Sequence, residues 1–248
     1  MKIRIKFSKH GAIRYIGHLD VMRYFQKAMR RAEIDIKYSE GMSPHQIMSF
    51  AQPLGVGYES DGEYLDIEVN STDSSSASID RLNAVMSEGI LISEYKELPD
   101  NAQNAMSSIA AADYVVGIRK EYMPEFDVRK TLAAFLEQNE MRIIKKSKRG
   151  EKEIDLKPYL YQVQMMDEYQ CGDFYESDTL VLFMQLSAGS EANIKPGLVM
   201  EALYTFAGYE LPEYALHITR KELYALEDGA FVPLGSVGSL ITALAGGN

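Results

Sequence analysis

The sequence predicts an α+β fold of two tandem ferredoxin-like (βαββαβ) halves with antiparallel sheets. Three observations lead there. Residues 1–98 read as strand, helix, two strands, helix, strand. A polar, small-residue stretch, "PDNAQNAMSSIAAA", then occupies 99–112 as a junction. A similar order, with one extra strand, returns over 113–234.

Each element has a local reason. In "KIRIKFSK", Ile3, Ile5 and Phe7 fall on one face and Lys2, Arg4 and Lys6 on the other, the period of a strand. After a turn around Gly11, "HLDVMRYFQKAMRRAEI" repeats Val21, Phe25, Ala28 and Ala32 at helical spacing. Its Arg23, Lys27, Arg30 and Arg31 gather on another face, a basic stripe predicted to meet solvent. "DIKYSE", "QIMSFAQPL" and "EYLDIEV" read as short strands. "SIDRLNAVMSEGI" reads as a helix capped by Ser78 and stopped at Gly89, and "ILISEYKEL" closes the first half. In the second half "DYVVGIRK", "MRIIKKSK", "LYQVQMMDE" and "TLVLFMQLS" are strands, "DVRKTLAAFLEQ" is a helix, and "KPGLVMEALYTFAG" is a helix with Pro196 in its first turn. "YALHITRKELYALE" is a terminal strand or hairpin, and "GSVGSLITALAGGN" a peripheral tail.

Composition bounds the function. With 46% apolar and 25% charged residues, the 248-residue chain has the balance of a globular protein. Its apolar runs, such as "LVLFMQL", fall far short of the roughly 20 residues that span a bilayer. The opening segment lacks the apolar core of a secretory signal, so a cytoplasmic location is expected. The single cysteine, Cys171, allows no internal disulfide and no Cys-rich metal or cluster site, and no cofactor is expected. Net charge is −10, but unevenly spread. Residues 1–48 carry ten Lys or Arg against four Asp or Glu, a net of +6, and the remaining 200 carry 16 against 32, a net of −16. A basic entry on an acidic body points to an anionic partner for the first segment.

The stretch "YSEGMSPHQIMSFAQPLGVGYESDGEYLDIEV" holds the densest chemistry. His18, Asp20 and His45 are the candidates for acid–base work, because imidazole titrates near neutrality and a carboxylate fixes its tautomer. His10, His18 and His45 cluster early in the chain, but without the fixed spacing of a metal motif, and no metal is assigned. His18 also stands where a helix begins, so it has a structural reading there, with Asp20 set against the helix dipole. The G-x-G of "PLGVGYESDGEYL" precedes a strand, not a helix. Gly55, Gly57 and Gly62 therefore read as turn residues that let another chain or a ligand approach closely, and not as a phosphate loop. No G-x-S-x-G, Walker or Cys-nucleophile pattern is present.

The run "KIRIKFSKHGAIRYIGHLDVMRYFQKAMRRAEIDIKYSEGMSPHQIMSFAQPLGVGYESDGEYLDIEV", with "IDLKPYL" later, resembles the radical SAM-associated family DUF2344. Its members share an "FSK-G" turn, a "hLSHLD"-like helix start and a "YSEGFNPHPKISFA-PL-vG-eS-gEY-D" core. The resemblance implies an accessory or substrate-presenting partner of a radical SAM protein with a cobalamin-binding-type domain, in an RNA- or ribosome-linked reaction. The chain has no CxxxCxxC set to hold the catalytic cluster itself. Here "SPHQIMSF" stands in place of "NPHPKISF", which replaces the family's Pro and Lys around Gln46 and Met48.

Three readings follow. As an RNA-binding module the chain would use Arg14, Arg23, Lys27, Arg30 and Arg31 on phosphate and Tyr15, Tyr24, Phe50 or Tyr58 on bases. His18, Asp20, Glu40, Ser43 and His45 would line a pocket beside it, with Ser49, Glu59, Ser60 and Glu63 as further binding residues. As a protein adaptor it would dock on the radical SAM enzyme through its acidic body. As a metal-independent RNA-processing enzyme it would pair His18 with His45, which depends on how the helix start meets the third strand.

Overall fold

The alternating residues of "KIRIKFSK" form strand β1 (Lys2–Lys9), and side chains on both of its faces are buried. In the computed structural model, which describes residues 1–147, 150–166, 178–190 and 192–242, the chain is a mixed α+β protein with antiparallel strand pairs. It divides into two compact units, Met1–Ala110 with Arg220–Asn248, and Ala111–Thr219.

The first unit contains β1, α1 (His18–Arg31), β2 (Met48–Phe50), β3 (Glu59–Glu68), α2 (Ser75–Asn83), β4 (Ile90–Leu98) and the short α3 (Ala105–Ser108). The second contains most of β5 (Ile109–Arg119), then α4 (Val128–Glu137), β6 (Arg142–Ser147), β7 (Gly150–Asp155), β8 (Leu160–Met165), β9 (Asp178–Ser187) and α5 (Pro196–Phe206). The chain then returns to the first unit with most of β10 (Leu216–Glu227), β11 (Ala230–Pro233) and β12 (Ser239–Leu240).

In the first unit the strands lie in the order β12, β4, β1, β3, β10, with β2 paired to β3 and β11 to β10. The β1–β3 register places Ile3 opposite Ile67, Ile5 opposite Leu65 and Phe7 opposite Glu63. Ile3, Ile5, Phe7, Leu65, Ile67 and Ile92 pack under Val21, Phe25 and Met29 of α1 and Leu82 of α2. Burying each such side chain is worth about 1.5–3 kcal/mol. The opposite face of β1 is not left to water. Arg4 clasps Asp66 at 2.8 and 2.9 Å and also donates to the carbonyls of Leu234 and Gln103, while Lys6 reaches Glu222 at 2.7 Å.

The ends of α1 and α2 show where local chemistry acts. The apolar pattern predicts a helix into Ile34, but α1 stops at Arg31. Glu33 takes a left-handed φ of 52°, and the Ile34 N–H turns back to the Met29 carbonyl at 3.0 Å. A non-glycine residue in that conformation costs roughly 1 kcal/mol, which the burial of Ile34 in the core offsets. α2 starts earlier than its pattern predicts. Ser74 is the N-cap and accepts from the Ala77 N–H at 3.3 Å, while Ser78 is buried inside the helix.

In the second unit β5, β9 and β8 form an antiparallel ladder, with Val115 opposite Phe183 and Val163 opposite Met184. Asp127 caps α4 by accepting from the Lys130 N–H, and Pro196 opens α5 where its missing N–H costs nothing. β6 and β7 form a separate two-stranded hairpin.

Several elements differ from expectation. "DIKYSE" makes only isolated bridges, Ile36 to Val69 and Tyr38 to Gln46, and "QIMSFAQPL" shortens to Met48–Phe50. The pattern groups 113–234 as one domain with a junction at 99–112 and the first domain at 1–98, whereas contacts divide the chain at 110/111 and return 220–248 to the first unit. The supposed tail is partly built in: Gly235 is buried, and Ser239 and Leu240 pair with Glu97 and Lys96 of β4. Cys171 and residues 243–248 lie outside the described residues. No described helix is long and apolar enough to cross a membrane.

Candidate functional site

The apolar alternation of β1 and β3 ends in charge. Lys9 follows Phe7 on the core-facing side of β1, and Glu63 precedes Leu65 on the same side of β3, so both side chains are directed into the interior at one end of the core. Arg220 of β10 meets Glu63 there in a two-pronged pair at 2.8 and 2.5 Å, and it also donates to the Gln52 side chain at 3.2 Å and the Gln52 carbonyl at 2.9 Å. Gly62 makes the approach possible: a Cβ there would stand 2.6 Å from the Lys221 carbonyl oxygen. Ser60, fully buried, donates its hydroxyl to the Arg220 carbonyl and accepts from the Gly62 N–H.

Lys9, His18, Gln52 and Glu63 line a small, partly open cavity of about 20 Å³, flanked by apolar side chains that include Phe7 and Phe50. His18 is the first residue of α1, and its ring meets the Phe50 ring edge-on at 5.4 Å. Among the described residues its nitrogens have no hydrogen-bond partner. Burial lowers the His18 pKa from its ordinary value, against Glu63 and with Lys9, so the imidazole is neutral at pH 7. Burial also holds the Lys9 ammonium below the usual lysine range, with Glu63 opposing and Arg220 adding to the effect.

A second charged group lies at the entry to α1. His10 sits 2.7 Å from Asp61 and 3.7 Å from Glu59, Asp61 also binds Lys221, and Glu59 accepts from the Gly11 N–H and from Arg14. The hydrogen bond to Asp61 raises the His10 pKa, and the same bond holds Asp61 down at about 2. A raised folded-state pKa means that His10 contributes stability fully below its unfolded value near 6.5 and loses it as pH rises through the folded value. The melting-temperature difference between the native chain and His10→Gln is therefore expected to be largest at pH 5–6 and to shrink above neutrality. A difference that is constant over this range would show that the imidazolium is not what binds Asp61.

The predicted site residues separate into groups. His18, Ser60 and Glu63 come together, and Arg14 and Glu59 form the neighbouring cluster. His45 is elsewhere: it is exposed, with Nδ1 2.8 Å from Ser39 Oγ, its backbone N–H donating to the same oxygen, and the Ser43 carbonyl 3.4 Å away. Gln46, next to it, donates to the Gln26 carbonyl two turns along α1 from His18. At about 1.5 Å per helical residue that spacing is roughly 12 Å, so His18 and His45 are not brought together as an acid–base pair. Glu40 is exposed, and Ser49 donates to Asn104 Oδ1 at 3.4 Å. Asp20, exposed, pairs with Arg23 at 3.3 Å on the solvent side of α1.

The basic stripe is real as geometry, because Arg23, Lys27, Arg30 and Arg31 are all exposed. Arg31 leans over Tyr24, 5.7 Å from its ring centroid, and donates to the Val85 carbonyl. Elsewhere in the basic segment four cations are matched internally: Arg4 to Asp66, Lys6 to Glu222, Arg14 to Glu59 and Lys37 to Glu68. Lys27, Arg30 and Arg31 meet no carboxylate among the described residues.

Lys9, Gln52 and Arg220 were not singled out by sequence reasoning. Lys9 carried a signal, since it extends the apolar series Ile3, Ile5, Phe7. Arg220 carried none, because its partner Glu63 is 157 positions away. Among the described residues no group of three or more His, Cys, Asp or Glu is placed to hold a metal ion.

No curated protein matches the chain. A solved structure titled "Crystal Structure of a Cbf5-Nop10-Gar1 Complex" is similar at a TM-score of 0.46 and 11% identity, over 89% of this chain and 48% of that one. This chain thus spans about half the length of that relative. The model of a family described as "Uncharacterized protein conserved in bacteria (DUF2344)" matches residues 2–196, and the chain belongs to that family.

Proposed function

We propose that the protein is a non-catalytic accessory component of a radical SAM system in the cytoplasm, and that it holds RNA or an RNA- or ribosome-linked substrate on the exposed face of α1. The observation that carries this reading is the charge left on α1 after the internal pairs are formed. Among the described residues Lys27 and Arg30 meet no carboxylate and Arg23 is held only by the exposed Asp20. The three recur on one solvent-facing side over about 10 Å of helix, and lysine and arginine presented in this way neutralise phosphates without reading bases. Tyr15, 61% exposed and 5.0 Å from the Arg14 guanidinium, is the aromatic side chain best placed to stack on an unpaired base. We also read each unit as a ferredoxin-like half. In the first unit the order β4, β1, β3, with β2 on β3, supports that.

The test is a crosslinked pull-down from cell lysate with the native chain and with Arg23→Glu/Lys27→Glu/Arg30→Glu, recovering RNA and protein, followed by titration of a single-stranded RNA. The variant is expected to lose the RNA, with affinity falling at least about 100-fold at low salt and the salt dependence of binding becoming shallower. RNA retained equally by both would sink the reading. A radical SAM protein recovered equally by both, with no RNA, would favour the adaptor alternative, for which the net charge of −16 outside residues 1–48 is the supporting feature.

A further inference from the structure

We propose that the cavity between Lys9 and His18 is a binding site for the terminal oxyanion, carboxylate or phosphate, of a small molecule. The basis is a buried charge imbalance, independent of the RNA reading. Lys9, Arg220 and Glu63 are respectively 3%, 2% and 5% exposed, so two cations and one carboxylate are withdrawn from water together. Arg220 occupies both Glu63 oxygens. Lys9 is left with a single hydrogen bond, to the Ile16 carbonyl at 2.9 Å, and no carboxylate within ion-pair distance among the described residues. An ammonium has three N–H donors, and a buried one without a counter-charge is costly. The cluster is one negative charge short.

The surroundings suit an anion in that place. His18 is neutral there, with both ring nitrogens unpartnered among the described residues, so it can donate one N–H to an oxygen atom. It is also the first residue of α1, whose N-cap Gly17 supplies no side-chain acceptor, so the positive end of a 14-residue helix adds to the field. Asp20, the acidic residue in that first turn, is turned to solvent with Arg23. The cavity, about 20 Å³, has room for little more than one oxygen-sized group. The rest of the molecule would lie outside, past Phe50.

The experiment is thermal unfolding of the full chain at pH 7 and constant ionic strength, with chloride replaced stepwise by inorganic phosphate or by acetate. The native chain is expected to show a saturable rise in melting temperature with at least one of the two, about 3–6 °C at ten times the dissociation constant. The anion that saturates first identifies the headgroup class. Lys9→Met should abolish the rise and, in the absence of the anion, melt at or above the native temperature, since it removes an uncompensated charge and keeps the volume. A lysine satisfied by the fold alone would instead give a Met variant that melts lower, and that result overturns the proposal. Equilibrium dialysis of phosphate and acetate against the native chain does not depend on any variant folding. If neither binds at tens of millimolar, the site does not exist. If binding is seen, His18→Ala should weaken it several-fold.

Discussion

Arg220→Ala is expected to destabilise the first unit by about 3–5 kcal/mol, the penalty for leaving one member of a buried ion pair without the other. The cause is Glu63. With the guanidinium gone, its carboxylate is left buried without a cation in contact, and Gln52 loses the donor that ties both its side chain and its carbonyl to β10. Urea unfolding followed by far-UV circular dichroism is the suitable measurement, because the chain has no tryptophan. The midpoint should fall with little change in slope. The double variant Arg220→Met/Glu63→Met should recover most of the loss, since it removes both charges and keeps apolar volume in the gap. A single-variant loss under about 1 kcal/mol would mean that water reaches the pair. Lys9→Met beside it is expected to move stability the other way, and this contrast separates a charge the fold has matched from one it has not.

Phe25→Ala should cost about 3–5 kcal/mol as well, by opening a cavity the neighbours cannot fill. Phe25 is fully buried, and its ring lies 4.7 Å from Phe7, 5.5 Å from Phe50 and 6.0 Å from Tyr24, centroid to centroid. Phe7 belongs to β1 and Phe50 to β2, so one side chain joins α1 to two strands. Phe50 in turn carries His18 on its edge. The variant is therefore expected to lower the urea midpoint and to loosen the wall of the cavity. Phe25→Leu should recover more than half of the lost stability. If Phe25→Ala cost no more than an exposed substitution, within about 0.5 kcal/mol, the aromatic cluster would not be the keystone of this end of the core.

Much of the architecture is written in local periodicity. β1 and β4 coincide with the strands read from "KIRIKFSK" and "ILISEYKEL", and α1, α4 and α5 fall within a few residues of their apolar patterns. Period-two and period-3.6 patterns survive folding because they describe which side of an element meets the core. The misses share one cause. "DIKYSE" alternates like a strand, but it makes only isolated bridges, and α1 ends early because Glu33 reverses the chain in a conformation that no apolar pattern announces. β6 was read from "MRIIKKSK", but its hairpin partner β7, "GEKEID", is almost wholly polar and charged, so it carried no core-facing signal.

The site was legible in part. Lys9 and Glu63 can be found by continuing the apolar alternation of their strands until it meets a charge. That rule requires only the sequence, and it marks the end of the core as a place where charge is buried. The basic stripe on α1 was equally readable, since residues four apart share a face wherever the helix lies. What the sequence determined by itself, then, is the set of faces: the apolar sides of β1, β3 and α1, and the cationic side of α1. What only the tertiary structure decided is which charges meet. Arg4, Lys6 and Arg14 are neutralised by Asp66, Glu222 and Glu59, His18 and His45 are set apart along α1, and Arg220 returns across the chain to take both oxygens of Glu63. The physical reason is that a face is a property of successive residues, whereas a charge pair depends on distance in space, which for these partners is set by strand order and register and by nothing local.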